Sequence, residues 1–390
     1  MLKGKNILLG VCGSVAFYKA YELLSELKKE GANVKIALSN GVLKFTQPLS
    51  FEAVSDFAVL YEGGEDWQAG INHIAYSKVD LVILAPASAN TINSLAHGVA
   101  NTLLLQTLLA STAPLLIAPA ANDKMLSHFA TKTSFEILKQ NGATIVPPVR
   151  KMLACKDVGE GALAPTWAII YHAKRLLSEN KFKGKKIIIT GGATTEAIDD
   201  VRAITNHSSG KMARALADAF YYAGAEVSLL ASFEANDVPY KVDKFKSSAE
   251  LLSLVKEQAN DAAALVMCAA VSDYIVQNPV KGKIKKDKNN LSLNLTPNDD
   301  ILEQVCDFAC KKIGFKLEVD TKTAEENAKN MLVKKGLDAV CLNVLGSENG
   351  FGSEENEIKF ITKSSVLNLG KNSKKELAKS IAELTSELLC

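Results

Sequence analysis

The chain has 390 residues, 47% of them apolar and 23% charged, which is enough for two globular domains that each bury a core. A net charge of +2 gives no global pull toward nucleic acid or anionic membrane, and no apolar run reaches the ~18–20 residues that span a bilayer. Seven cysteines without framework spacing point to a reducing cytoplasm rather than a disulfide scaffold.

The N-terminal "MLKGKNILLGVCG" has a basic start, but its short apolar stretch runs into a glycine turn and an amphipathic segment, so it reads as a first strand and not a signal peptide. Residues 14–30 repeat apolar side chains at helical spacing and stop at Gly31. "NVKIALS", "DLVILAPAS", "PLLIAPA" and "ATIVPP" follow as strands, separated by helical segments such as residues 91–110. That alternation is the pattern of a parallel sheet with crossover helices. Residues 178–186, polar and lysine-rich, read as a linker, and "KIIITGG" restarts the pattern. "AEVSLLAS", "ALVMCAAV", "KIGFKLEV" and "DAVCLNVLG" supply further strands, with helices over 210–223, 249–260 and 323–335 and a closing helix in "KKELAKSIAELTSELL". The fold expected is α/β, two doubly wound Rossmann-like domains over residues 1–180 and 181–390.

Ligands of open α/β sheets sit beyond the carboxyl ends of the strands. "GVCGSVAFYK" offers Gly10, Gly13 and Ser14 before a helix, without the G-x-G-x-x-G spacing. The second strand ends at Ser39 and not at the acid that binds a dinucleotide ribose, which favours a mononucleotide over NAD(P). Ser88, Asn90 and Asn101 are small polar groups around a helix start, where ordinary capping explains each equally well. His73 lies in a polar loop with isoleucines on either side and carries an imidazole, the side chain suited to acid–base work. Asn122 lies just past a strand end, and Cys155 beside Lys156 resembles a thiol on a lid. Each also has a bland reading: a packing histidine, a helix N-cap, an incidental thiol. Cys306 and Cys310, four apart on an expected helix, supply two metal ligands at most.

"TNHSSGKMARALADAF" (residues 205–220) puts Ser-Ser-Gly-Lys at a helix start, yet it is no P-loop. Thr205 replaces the first glycine, and Met212 stands where the magnesium-binding hydroxyl belongs. Ser208 or Ser209 is expected to cap that helix, whose free N–H groups suit a phosphate. The basic run "KGKIKKDK" (residues 281–288) reads, taken alone, as a solvated loop or a local nucleic-acid patch.

In this order, "GVCGSVAFYK", "INHIAYSKVDLVILAPASAN", "GVAN", "PAAN" and "ACKDVGEG" resemble the flavin-dependent phosphopantothenoylcysteine decarboxylases, which are flavodoxin-like. "GGATTEAIDDVRAITNHSSGKMA", "CAAVSDY", "KGKIKK", "GFKLE" and "LNVLGSENGFGSEEN" resemble the phosphopantothenate–cysteine ligases. Together they resemble the bacterial bifunctional coenzyme A biosynthesis enzymes over nearly the whole chain. The resemblance implies an FMN-dependent decarboxylation of 4′-phosphopantothenoylcysteine to 4′-phosphopantetheine. His73 is then the base or orienting group, Asn122 the substrate holder and Cys155 the proton donor, with Gly13, Ser14, Ser39, Ser88 and Asn101 toward FMN. It also implies ligation of 4′-phosphopantothenate to cysteine with CTP and Mg2+ through an acyl-cytidylate. There Lys283 acts in forming the intermediate, Asn206 in holding it, and Arg202, Asp273, Phe315 and Asn343 toward the nucleotide, Asp273 also toward the metal. The partners implied are small molecules and further copies of the chain: decarboxylase trimers and ligase dimers, closing into an assembly such as a dodecamer, cytoplasmic, with no nucleic acid or membrane. Three residues depart from the family pattern: Ala121 for methionine, Lys156 for glycine and Val319 for threonine. Two rivals are a flavin-binding regulatory protein, disfavoured by Cys155 and the whole second half, and an NAD(P)-dependent reductase, disfavoured by Ser39.

Overall fold

Five successive buried residues, Ile7 to Val11, make "NILLGV" a strand that needs cover on both faces of its sheet, as parallel sheets do. A computed structural model describes residues 1–66, 72–152, 157–286, 291–344 and 352–389. The chain divides into two compact units, Met1–Ser178 and Glu179–Cys390.

In the first unit the strands are β1 (Asn6–Val11), β2 (Asn33–Leu38), β3 (Val59–Leu60), β4 (Leu81–Ala87), β5 (Leu115–Pro119) and β6 (Thr144–Ile145). They form one sheet in the order β3-β2-β1-β4-β5-β6, and every neighbouring pair is parallel. The winding reverses between β1 and β4, which makes the loops after those two strands the switch point. The strand period of two sorts the core. Ile7, Leu9 and Val11 pack with helices α1 (Lys19–Lys29) and, late in the unit, Thr166–Leu176. Leu8 and Cys12 face the other way, onto the residues that follow β4 and β5. The helical stretch expected over residues 91–110 is broken: it is two helices, Ala89–Ala96 and Leu103–Ala110. Gly98 with φ 68° ends the first, and Thr102 caps the second by accepting from Leu105 N–H at 3.3 Å. An antiparallel hairpin, β7 (Val149–Met152) and β8 (Val158–Ala162), precedes the last helix of the unit.

The second unit repeats the winding. Its main sheet contains β9 (Lys186–Gly191), β12 (Glu226–Ala231), β13 (Lys241–Lys244), β14 (Ala264–Met267), β17 (Lys311–Glu318), β18 (Ala339–Val344), β19 (Glu355–Thr362) and β20 (Val366–Ser373). The order is β13-β12-β9-β14-β17-β18-β19-β20, parallel through β18 and then closed by two antiparallel pairings. Two small ribbons leave this sheet after β9 and after β14: β10 (Thr195–Ala197) with β11 (Ala203–Thr205), and β15 (Tyr274–Val276) with β16 (Leu295–Pro297).

Three local expectations are corrected. Residues 178–186 are not a free linker: Phe182 is fully buried, its N–H donates to Ala223 O at 2.9 Å, and its ring meets Phe220 edge-on at 5.1 Å. The helix Lys211–Tyr222 has no serine cap; Gly210, with φ 70°, occupies that position, and a Cβ there would lie 2.2 Å from the Phe233 ring. Cys306 and Cys310 do not share a helix, because the helix Ile301–Gln304 ends before both.

Candidate active sites

Beyond the carboxyl ends of β1, β2, β4 and β5 the first unit opens a cleft of about 880 Å³. Its floor depends on residues without side chains. A Cβ on Gly13 would fall 2.6 Å from the Gly41 carbonyl carbon, and one on Gly161 would fall 2.1 Å from Ala121 O. Gly13 N–H donates to Ser39 Oγ at 3.1 Å, so the residue that follows β2 fixes the turn after β1. Ser14 caps the short 3-10 turn Val15–Tyr18 by accepting from Ala16 N–H at 3.3 Å. Ser88 caps Ala89–Ala96 by accepting from Thr91 N–H at 3.3 Å. A hydroxyl that accepts a backbone N–H still has its own proton to donate, so capping and anion binding are compatible at Ser14 and Ser88. Asn122 likewise caps Asp123–Ser127, with Oδ1 accepting from Lys124 N–H at 3.0 Å.

Gly13, Ser14, Ser39, Ser88 and Asn122 all line this cleft, together with Ala121 and the hairpin's Met152 and Gly161. Among the described residues the lining carries Lys19 and Lys151 and no carboxylate, which favours an anionic occupant. Asn101 is exposed and off the wall; its neighbour Thr102, which sequence reasoning passed over, lines it instead. His73 sits half-buried in the short helix Asn72–Ser77, away from the lining. Cys155 and Lys156 lie outside the described residues. Cys12, in the same glycine turn, is no nucleophile: it is fully buried, and burial pushes its thiol above the usual range against hydrogen bonds to Thr91 and Ser88.

In the second unit the loops after β9 and β14 are stitched to each other. Ala270 N–H donates to Gly192 O at 2.8 Å, and Ser272 N–H to Thr194 Oγ1 at 3.0 Å. Asn206 is exposed, and its amide donates across to Val271 O at 3.1 Å and Ala270 O at 3.4 Å. Arg202 is largely committed. Its Nε donates to Asp199 Oδ2 at 3.0 Å, and its Nη2 donates to the same oxygen and to Ile284 O at 2.7 Å. That ties it to the loop bearing Lys283, which is exposed. Asp273 is exposed, with its carbonyl accepting from Asn298 N–H at 2.8 Å. Among the described residues no group of three His, Cys, Asp or Glu is placed to hold a metal. On the sheet itself Phe315 is in register with Cys341 and Leu317 with Asn343, so Phe315 and Asn343 point to one face. Asn343 Oδ1 is buried with no hydrogen-bond partner among the described residues. Val319 is 74% exposed.

No helix of the described residues is long and apolar enough to cross a membrane. Residues 1–178 match the Flavoprotein family, and residues 182–388 match the DNA/pantothenate metabolism flavoprotein C-terminal domain. A coenzyme A biosynthesis bifunctional protein CoaBC of Vibrio cholerae is 36% identical over 398 residues, covering 99% of both chains. That of Bacillus subtilis is 36% identical over 365 residues, 91% of this chain and 90% of its own. A crystal structure of the C-terminal domain of a CoaBC protein overlays 54% of this chain and 98% of that one, with a TM-score of 0.45 and 27% identity. Two family matches in tandem and relatives aligned end to end lead to one conclusion: the chain belongs to the coenzyme A biosynthesis bifunctional proteins.

Proposed function

We propose that the second unit joins 4′-phosphopantothenate to cysteine at the expense of CTP, and that the first then decarboxylates the 4′-phosphopantothenoylcysteine formed, giving 4′-phosphopantetheine. The observation that carries the reading is the cleft beside the β1/β4 switch point. It is lined by hydroxyls, lysines and close-packed glycine backbone, so it fits a flavin mononucleotide with its phosphate on the Gly13–Ser14 turn.

When bound, FMN supplies reversible two-electron chemistry, which gives the carbon next to the departing carboxylate an electron sink. Gly13, Ser14, Ser39 and Ser88 hold the phosphate end, and Asn122 orients the substrate at the cleft wall. His73 takes or positions the thiol proton, and Cys155 returns a proton after CO2 has left. That His73 and Asn101 are outside this lining supports a homo-oligomeric decarboxylase in which each completes a cleft of a neighbouring copy.

In the ligase the pantothenate carboxylate attacks the α-phosphorus of CTP, forming a C–O–P link as the bond to pyrophosphate breaks. The cysteine amine then attacks the carbonyl carbon and CMP leaves. Lys283 meets the charge that grows on the phosphate oxygens, and Asn206 donates to the finished acyl-cytidylate. Phe315 forms a wall of the nucleotide pocket. An unsatisfied buried acceptor costs about 1–3 kcal/mol, and the exocyclic amine of cytosine is a donor that would satisfy Asn343 Oδ1. Asp273 is a single carboxylate, as suits Mg2+ that arrives largely coordinated by triphosphate. Arg202 keeps Nη1 for the ligand while Nη2 holds the Lys283 loop at Ile284 O and Nε pairs with Asp199.

The test is incubation with phosphopantothenate, cysteine and CTP-magnesium, read by mass. Phosphopantetheine and CMP are expected; phosphopantothenoylcysteine alone would sink the decarboxylase half, and no coupled product would sink the ligase half.

A further inference from the structure

Lys283 can act on a phosphate only if an exposed, glycine-containing loop is held still, and the structure shows what holds it. The segment 198–202 and the segment 280–284 lie side by side. Val280 N–H donates to Ile198 O at 3.0 Å, Asp200 N–H to Gly282 O at 3.2 Å, and Gly282 N–H to Asp200 Oδ2 at 2.7 Å. Asp199 is 4% exposed in the middle of this arrangement. Its Oδ1 accepts from Val201 N–H at 2.9 Å and Arg202 N–H at 2.7 Å, and its Oδ2 from Ile284 N–H at 3.0 Å and the Arg202 guanidinium. Arg202 in turn donates to Ile284 O, so one carboxylate controls both the N–H and the C=O of Ile284. The residues on either side of Lys283 are thereby pinned, Gly282 by Asp200 and Ile284 by Asp199.

We propose that Asp199 is a positioning residue of the ligase, which sets the place of the Lys283 ammonium by clamping Ile284 directly and through Arg202. This rests on the role given to Lys283 above. The guanidinium and the three backbone donors hold the Asp199 carboxyl far below the usual carboxylate range, which keeps it in the ionised form that accepts all of these hydrogen bonds. An asparagine has the same shape but must put an NH2 where one of the two oxygens stands, donor against donor, facing either the Val201 and Arg202 N–H groups or the guanidinium and Ile284 N–H. In both cases the neutral amide gives up the charge that pairs with Arg202 and loosens the hold on Ile284.

A displacement of about 1 Å of a reacting group costs up to ~100-fold in rate. Asp199→Asn should therefore slow pyrophosphate release ~10–100-fold, with CO2 release from supplied phosphopantothenoylcysteine unchanged. The deciding variant is Asp199→Asn combined with Lys283→Gln. If Asp199 works through Lys283, the pair is no slower than Lys283→Gln alone, whereas independent losses multiply. Multiplied losses overturn the proposal. Asp199→Asn at full rate with Lys283→Gln slow also overturns it, leaving the lysine's role intact. Lys283→Gln at full rate sinks the lysine reading itself and the link with it. Should Asp199→Asn fail to fold, hydrogen exchange on the unsubstituted protein still decides: the Ile284 amide should exchange at least ~10-fold more slowly than those of Lys283 and Lys285. Equal rates overturn the clamp.

Discussion

Replacing Gly13 by alanine isolates one physical effect in the cleft proposed to hold FMN. The φ of Gly13 lies outside the left-handed region, so alanine is conformationally permitted there; the obstacle is space. The added methyl would stand 2.6 Å from Gly41 C, 2.7 Å from Gly41 Cα and 2.8 Å from Gly41 O, all backbone atoms with no rotamer to yield. The turn after β1 must therefore part from the turn after β2, breaking the 3.1 Å bond from Gly13 N–H to Ser39 Oγ. Overpacking of this kind costs about 1–3 kcal/mol. If that cost is carried by the bound geometry, at 1.4 kcal/mol per tenfold FMN affinity falls roughly 5- to 150-fold. The assay is fluorescence titration of flavin-stripped protein with FMN, with CTP-dependent ligation measured alongside as a control in the other unit. FMN uptake at unchanged affinity would refute the argument that backbone contact between Gly13 and Gly41 builds the phosphate turn. Loss of ligation as well would show general misfolding.

Phe182→Ala should destabilise the second unit by about 3–5 kcal/mol, because a fully buried ring in contact with Phe220 leaves a cavity; thermal unfolding followed by ligase activity and by flavin absorbance should show the first falling alone. Asn343→Leu removes a buried acceptor that has no hydrogen-bond partner among the described residues, so stability should hold or rise while the KM for CTP rises ~2- to 10-fold, as read from initial rates and a melting curve. Lys283→Gln should slow pyrophosphate release ~10²–10³-fold with no intermediate visible, whereas Asn206→Asp should form an acyl-cytidylate that cysteine uses poorly; quenched reactions with labelled CTP distinguish them. Cys155→Ser should release CO2 but little phosphopantetheine, and His73→Asn should release neither, which single-turnover product analysis resolves.

The repeated strand grammar was legible because fully buried parallel strands read as unbroken apolar runs, and "NILLGV" and "KIIITG" need no context to be recognised. Ser14, Ser88 and Asn122 were legible as caps because short polar side chains before an apolar helix have one cheap local use. Tertiary decisions were not. Nothing local says that Gly210 and not Ser209 starts its helix, because the reason is the Phe233 ring, contributed from a different part of the chain. Phe182 looked like one aromatic in a lysine-rich connector, and only the hole beside Phe220 gives it a place. Asp199 passed unremarked for the same cause: its partners on the Lys283 loop lie about eighty residues away in the chain.

The order in which the two sheets are wound also sets how they can be made. β1 is a central strand, but its second neighbour is β4, so Ile7 waits for Leu81; in the second unit Ile187 waits for Ala264. At ribosomal speeds of roughly 5–20 residues per second, each half emerges with one edge of its first strand unpaired for about 4–15 s. During synthesis that edge is open to any other strand, including the same strand on a neighbouring nascent chain. Yield in cells should therefore depend on translation rate between β1 and β4, and on chaperone supply, even for variants whose finished fold is fully stable.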